Sequence, residues 1–134
     1  REHLEYHKSI SLVHDNVVLT KVENTGAFLS LGDQLSPVFK NILLSGVPAL
    51  TMLMVLVWLF RQSNLNQGIM FGLCCVVGGG IGNLFDRIAY GSVTDFMYLQ
   101  WGFLHTGVFN CADVSITFGV LWLAGCMFFK KPIV

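Results

Sequence analysis

The sequence predicts a membrane protein, mainly α-helical, with three transmembrane helices and a small extracytoplasmic β-sheet. Three observations lead there. Hydrophobic residues make up 54% of the 134-residue chain and charged residues only 12%, about half the share in a soluble domain. Mean hydropathy is +0.64. The charges also gather at one end. Arg1, Glu2, Glu5, Lys8, Asp15, Lys21, Glu23, Asp33 and Lys40 precede residue 41, and the whole remainder keeps only Arg61, Asp86, Arg87, Asp95, Asp113, Lys130 and Lys131. Long uncharged runs separate these last residues, as spans in lipid require.

The polar head, residues 1–36, lacks an apolar core behind a basic start and does not read as a signal peptide. Residues 10–31 read instead as short strands: Val17–Val22 is rich in β-branched side chains, and Asn24-Thr25-Gly26 supplies a turn. The first span is expected at 38–60, where residues 41–60 carry no charge and match the roughly 20 residues that cross a bilayer core. Pro48 predicts a kink there, which neighbouring helices can absorb.

The second span is expected at 67–86. Its Gly68/Gly72 and Gly78/Gly82 pairs have the spacing that lets membrane helices approach closely. The uncharged run 114–129 by itself would reach only about 24 Å, so the third span is placed at 110–129. That start puts Asp113 in the first turn, at the membrane margin. Residues 87–109 become an extracytoplasmic, interfacial connection, with aromatic side chains around Trp101-Gly102 suited to the headgroup level. The chain 1–134 is thus one membrane-embedded domain. Arg61 and Lys130-Lys131 lie an odd number of spans from the head, so positive-inside bias sets them in the cytoplasm and the three aspartates outside.

Several functions lack support. A formal net charge of zero gives no basis for nucleic-acid binding. Cys74, Cys75, Cys111 and Cys126 form no C-x-x-C pair and read as small packing residues. His3 and His7 are spaced i, i+4, but the intervening glutamate is one position off the zinc-protease pattern, so no metal or other cofactor is expected. Gly78-Gly79-Gly80 lacks the lysine of a phosphate loop, and no serine-hydrolase elbow occurs.

The chemistry should lie in the aspartates, since a carboxylate near hydrocarbon is costly unless compensated. Two neighbouring carboxylates share a proton: one can draw a proton from water while the other polarises a carbonyl and protonates the leaving amine. That is aspartyl protease chemistry, open to Asp95 and Asp113 if the fold joins them. Two plainer readings stand beside it. Asp113 can simply cap the third span, and Asp86-Arg87 can be a local ion pair or interface anchor. An alternative function is a small ion- or proton-coupled transporter with Asp95 and Asp113 as a relay, which predicts acids near mid-span.

Four blocks in order, Asn-Thr-Gly-Ala (24–27), Gly-Asn-x-x-Asp-Arg (82–87), Val-Thr-Asp-Phe (93–96) and Phe-Asn-x-Ala-Asp (109–113), resemble lipoprotein signal peptidase, the type II signal peptidase of bacteria. The match spans about residues 17–129. The resemblance implies a membrane aspartyl endopeptidase of the bacterial inner membrane, cutting prolipoproteins just before a diacylglyceryl-modified cysteine. It implies Asp95 and Asp113 as the catalytic pair. Asn24, Gly26, Asn83, Arg87 and Asn110 would bind substrate or orient the site, and Asp86 would support them. The implied partners are prolipoproteins and membrane lipid. The family has four spans, and the first, with its own Asp and Lys motif, would lie ahead of Arg1.

Overall fold

A computed structural model describes residues 9–26 and 36–128. The expectations for His3, His7 and Lys130-Lys131 therefore lie outside the described residues. Strands β1 (Ile10–Leu12) and β2 (Val17–Asn24) come first. Helix α1 follows at Pro37–Arg61, α2 at Gln67–Tyr90 and α3 at Cys111–Phe128. Strands β3 (Val93–Trp101) and β4 (Leu104–His105) lie between the last two helices. All three helices are long and apolar enough to cross a membrane.

Proline explains the shape of α1. Pro37 sits at its first turn, where a missing N–H costs nothing, and the Ser36 side chain accepts from Phe39 N. Pro48 further on cannot donate to a carbonyl one turn back. The chain answers with a π-helical turn over Ile42–Gly46, in which Val47 N reaches Ile42 O. The kink expected from Pro48 is thus taken up as a widened turn within one continuous span. None of its residues is buried, as befits a helix with a large lipid-facing surface.

Helices α2 and α3 run antiparallel and pack closely along their length. Within a membrane apolar side chains gain little by meeting each other rather than lipid, so small residues set the contact. A methyl group on Gly79 would collide with the carbonyl of Ala112, and one on Gly119 would lie 2.7 Å from Gly72 O. Trp122 Nε1 donates to Gly68 O at 2.9 Å and Ser115 Oγ to Cys75 O at 2.8 Å, tying the two helices across the seam. Of the expected Gly78/Gly82 pair, Gly82 lies against Ala112 of α3, and Gly78 is corrected here. Gly78 faces open space, and Gly79 makes the close approach, because it shares the seam of Gly72 seven residues earlier. Gly80 abuts Met52 of α1.

The sheet is antiparallel in the order β1-β2-β3-β4. Val17, Val18 and Leu19 of β2 pair with Leu99, Tyr98 and Met97 of β3; after a bulge, Val22, Glu23 and Asn24 pair with Asp95, Thr94 and Val93. The returning chain then flanks the other edge of β3, where Met97 and Phe109 exchange backbone hydrogen bonds of 2.8 and 2.9 Å.

Two boundaries differ from those expected of the sequence. The second span runs on to Tyr90, where Gly91 in the left-handed region (φ 75°) ends it, so Asp86 and Arg87 are helical. The connection 87–109 is also more than an interfacial loop, since it supplies the strand on which the sheet is built. Its aromatic side chains matched a membrane interface, and Val93–Trp101 is a strand because it pairs with β2 along one edge.

The helix seam gives a paired test by thermal unfolding in detergent. Gly79→Ala overpacks the crossing and should cost about 1–3 kcal/mol. Gly78→Ala, one residue away, should be neutral or stabilising by up to about 1 kcal/mol, because alanine is the better helix former. Equal effects from the two would contradict the seam.

Candidate active site

Few side chains among the described residues are buried, and three of those that are polar are Asp95 (4% exposed), Asn110 (5%) and Ser92 (7%). A polar group is expensive to bury without partners, so their bonds identify the site. Asp95 lies on the third residue of β3. Its Oδ1 accepts from Asn110 Nδ2 at 2.7 Å and its Oδ2 from Asn24 Nδ2 at 3.1 Å. Asn24 reaches it because the register sets Val22 opposite Asp95 and Asn24 diagonally beyond, on the same face.

Asn110 immediately precedes α3, and it and Asp113 cap the helix reciprocally. Asn110 Oδ1 accepts from Asp113 N at 3.0 Å, and Asp113 Oδ2 accepts from Asn110 N at 3.2 Å. This is a capping box with an asparagine and an aspartate in the usual two places. The capping reading of Asp113 is therefore right, and it does not compete with a chemical role. One carboxylate oxygen caps the helix while the other, Oδ1, accepts from Asn83 Nδ2 at 2.9 Å. Asn83 Oδ1 in turn accepts from Asn110 Nδ2 at 3.1 Å. The two carboxylates are thus joined through Asn110, with Asn83 bracing both it and Asp113.

Arg87, one helical turn beyond Asn83, donates from Nη2 to Gly26 O at 2.8 Å, and Gly26 N donates to Asn24 Oδ1 at 3.0 Å. The guanidinium also lies within electrostatic reach of both aspartates. It anchors the end of β2 over the site and places a positive charge beside two acids. Burial pushes the Asp95 carboxyl above the usual carboxylate range, and the Asp113 charge adds to this; the hydrogen bonds from Asn24 and Asn110 and the nearby Arg87 charge oppose it.

Seven of the eight residues singled out from the sequence therefore converge: Asp95, Asp113, Asn24, Gly26, Asn83, Arg87 and Asn110. Asp86 stands apart, its Oδ2 accepting from Thr94 N at 3.2 Å where α2 meets β3. On that same side, Glu23 accepts from the hydroxyls of Ser92 and Thr94. This second cluster was not singled out from the sequence. Reading 93–101 as a strand would have exposed it, because residues 92 and 94 alternate with 93 and 95. Among the described residues no group of three or more His, Cys, Asp or Glu side chains is placed to hold a metal ion.

The arrangement has the fold of a membrane enzyme. Two solved structures, both described as bacterial membrane enzymes obtained by the in meso method, superpose with TM-scores of 0.81 and 0.79 at 21% and 20% identity, covering 99% and 97% of this chain and 80% and 81% of theirs. The family described as signal peptidase (SPase) II matches residues 1–129. The lipoprotein signal peptidase of Desulforapulum autotrophicum is 34% identical over 129 residues, covering 96% of this chain and 79% of that protein. That of Pseudomonas fluorescens is 35% identical over 132 residues, with 96% and 75% covered. The chain belongs to the signal peptidase II family, and is a multi-pass membrane peptidase.

The hydrogen bond from Asn24 stabilises the ionised form of Asp95, so its removal should raise the Asp95 pKa further. For a peptidase that needs this proton, Asn24→Ala should move the alkaline limb of the kcat/KM–pH profile to higher pH, with a lower maximum. A profile measured in detergent that shifts to lower pH, or not at all, would remove Asn24 from the carboxylate pair.

Proposed function

We propose that this protein is an aspartyl endopeptidase that removes signal peptides from prolipoproteins, cutting just before a diacylglyceryl-modified cysteine, with Asp95 and Asp113 as its catalytic pair. The observation that carries the reading is the bridge through Asn110, which ties both carboxylates into one network. Burial and the second acid favour a proton on Asp95, while Asp113 accepts hydrogen bonds from Asn83 Nδ2 and the Asn110 amide. The reading requires that the two acids together carry one proton in the active form.

In that form Asp113 takes a proton from a water molecule, whose oxygen attacks the scissile carbonyl carbon. Asp95 donates its proton to the carbonyl oxygen, giving a neutral tetrahedral diol. In collapse Asp113 returns its proton to the leaving nitrogen, the C–N bond breaks, and Asp95 recovers the diol proton as the new carboxyl group forms. One water is consumed and the pair ends as it began. Asn83 and Asn110 hold the acids in place, Asn24 and Gly26 present the end of β2 beside them, and Arg87 offsets the charge.

The site stands at one end of the helices: Asp113 lies in the first turn of α3, and Asp95 on a strand beyond the end of α2. This suits a substrate whose diacylglyceryl group holds its cleavage site at the bilayer surface. It does not suit the relay of a transporter, for which both acids should lie within the spans. Arg61 at the opposite end supports, through positive-inside bias, a site at the outer, periplasmic face of the bacterial cytoplasmic membrane.

Two experiments test the proposal. Asp95→Asn and Asp113→Asn should each abolish release of the signal peptide from a lipidated prolipoprotein in detergent, with losses of at least about 100-fold. Substantial turnover by either variant would refute the pairing. For the orientation, Phe103 is 90% exposed in the β3–β4 turn. A Phe103→Cys variant lacking the native cysteines should react with a membrane-impermeant thiol reagent added from outside, whereas labelling only from the cytoplasmic side would reverse the topology.

A further inference from the structure

The bulge in β2 poses a problem of register. Between the Leu19–Met97 and Val22–Asp95 pairs, β2 advances by three residues and β3 by two. Continued without the bulge, the upper ladder would pair Glu23 with Val93, and the Asn24 side chain would leave the face that carries Asp95. A one-residue slip reverses every side chain in this way. Only the Val22, Glu23 and Asn24 pairs lie beyond the bulge. So short a ladder needs something else to hold it in place.

The second polar cluster does this. Glu23 is paired directly with Thr94 across the strands. Its Oε1 accepts from Thr94 Oγ1 at 3.4 Å, and its Oε2 accepts from the Ser92 hydroxyl. These contacts lie on the face opposite Asp95 and straddle Val93, which is 3% exposed. The Thr94 amide points away from β2 and is taken by Asp86 Oδ2 from the last turns of α2. The residue before Asp95 is therefore gripped from β2 through its side chain and from α2 through its backbone. In the unbulged register Glu23 would face Val93, which offers no hydroxyl.

We infer that Glu23 is a positioning residue: by engaging Ser92 and Thr94 it holds the bulged register that lays Asn24 against Asp95. This rests on the proposed peptidase chemistry. Glu23 touches neither substrate nor the reacting atoms, and acts through Asn24. Its charge is not what the role needs. A carbonyl oxygen in the same place can accept from the two hydroxyls, so Glu23→Gln should serve where Glu23→Ala does not. The charged groups around the site that Asn24 joins are Asp95 itself, Asp113 of α3 and Arg87 of α2, and none of them contributes the acceptor.

The test uses the full chain and a lipidated prolipoprotein, with kcat and KM measured across pH. Glu23→Ala should lower kcat by roughly 10–100-fold, the scale of a small misplacement of a catalytic group, with KM within about threefold. It should also move the alkaline limb to higher pH, as Asn24→Ala does. The double variant should be no worse than Asn24→Ala by more than about threefold, since both remove one contact. Glu23→Gln should restore most of the rate. Thr94→Val, which keeps the strand shape, should reproduce the loss from the other side and serves if Glu23→Ala folds poorly. A kcat within about twofold of the parent for Glu23→Ala or Thr94→Val, or effects of Glu23 and Asn24 that multiply, would overturn the inference. Asp95→Asn in the same assay separates the two proposals. If it is inactive while Glu23→Ala is unimpaired, only the positioning role falls; if it cleaves, both fall.

Discussion

The site depends on the side-chain amide of Asn110, whose oxygen and nitrogen are both committed. The oxygen caps α3 at Asp113 N, and the nitrogen donates to Asp95 and to Asn83. A helix cap is worth about 1 kcal/mol, and a buried polar group that loses its partner costs about 1–3 kcal/mol. These energies bear on a single residue, so the start of a membrane helix and the relative placement of two acids cannot vary separately. The backbone supports the same constraint. Phe109, just before Asn110, exchanges two hydrogen bonds with Met97, two residues past Asp95.

Helix packing reaches the site through Asn83. It stands one turn after Gly79, on the seam where α2 and α3 approach most closely. With little apolar driving force between helices in lipid, the depth of that approach is set by the absence of side chains at Gly72, Gly79 and Gly119. Interhelical bonds from Trp122 and Ser115 fix the sliding coordinate. The distance from Asn83 to the Asp113 carboxylate is therefore governed largely by glycines deeper in the membrane. The placement of the acids is exposed in this way to substitutions far from them.

Electrostatics at the site works against the fold. Asp95 keeps its proton to a higher pH in the folded protein than in the unfolded chain. Its ionisation therefore favours unfolding, and its contribution to stability falls as pH rises from the ordinary carboxylate range through the raised pKa. The asparagine bonds and Arg87 limit that loss without abolishing it. An acid whose carboxyl pKa is raised by burial is unhelpful for stability, a conflict that fits the proposed chemical role of Asp95.

Much of this was legible in the chain. Lipid demands long uncharged helices, so the three spans follow from composition alone, and the extension of the third back to the Asn110 cap follows from the length a bilayer requires. The isolated aspartates stood out as candidates because a carboxylate beside hydrocarbon needs a reason. The role of 87–109 was not legible in the same way. Its aromatic residues satisfy both an interface and a strand, and only pairing with β2 decided between them. Gly79 rather than Gly78 makes the close contact because the helical phase is set by the partner helix, which spacing along one chain does not contain. Nor could sequence show that Asp113 caps and faces Asp95 together, or that Glu23 and Asn24 divide the two sides of one strand. Those assignments depend on a bulge and on residues brought together from distant parts of the chain. Local chemistry along the chain determined which residues could act, and tertiary contact decided which of them meet.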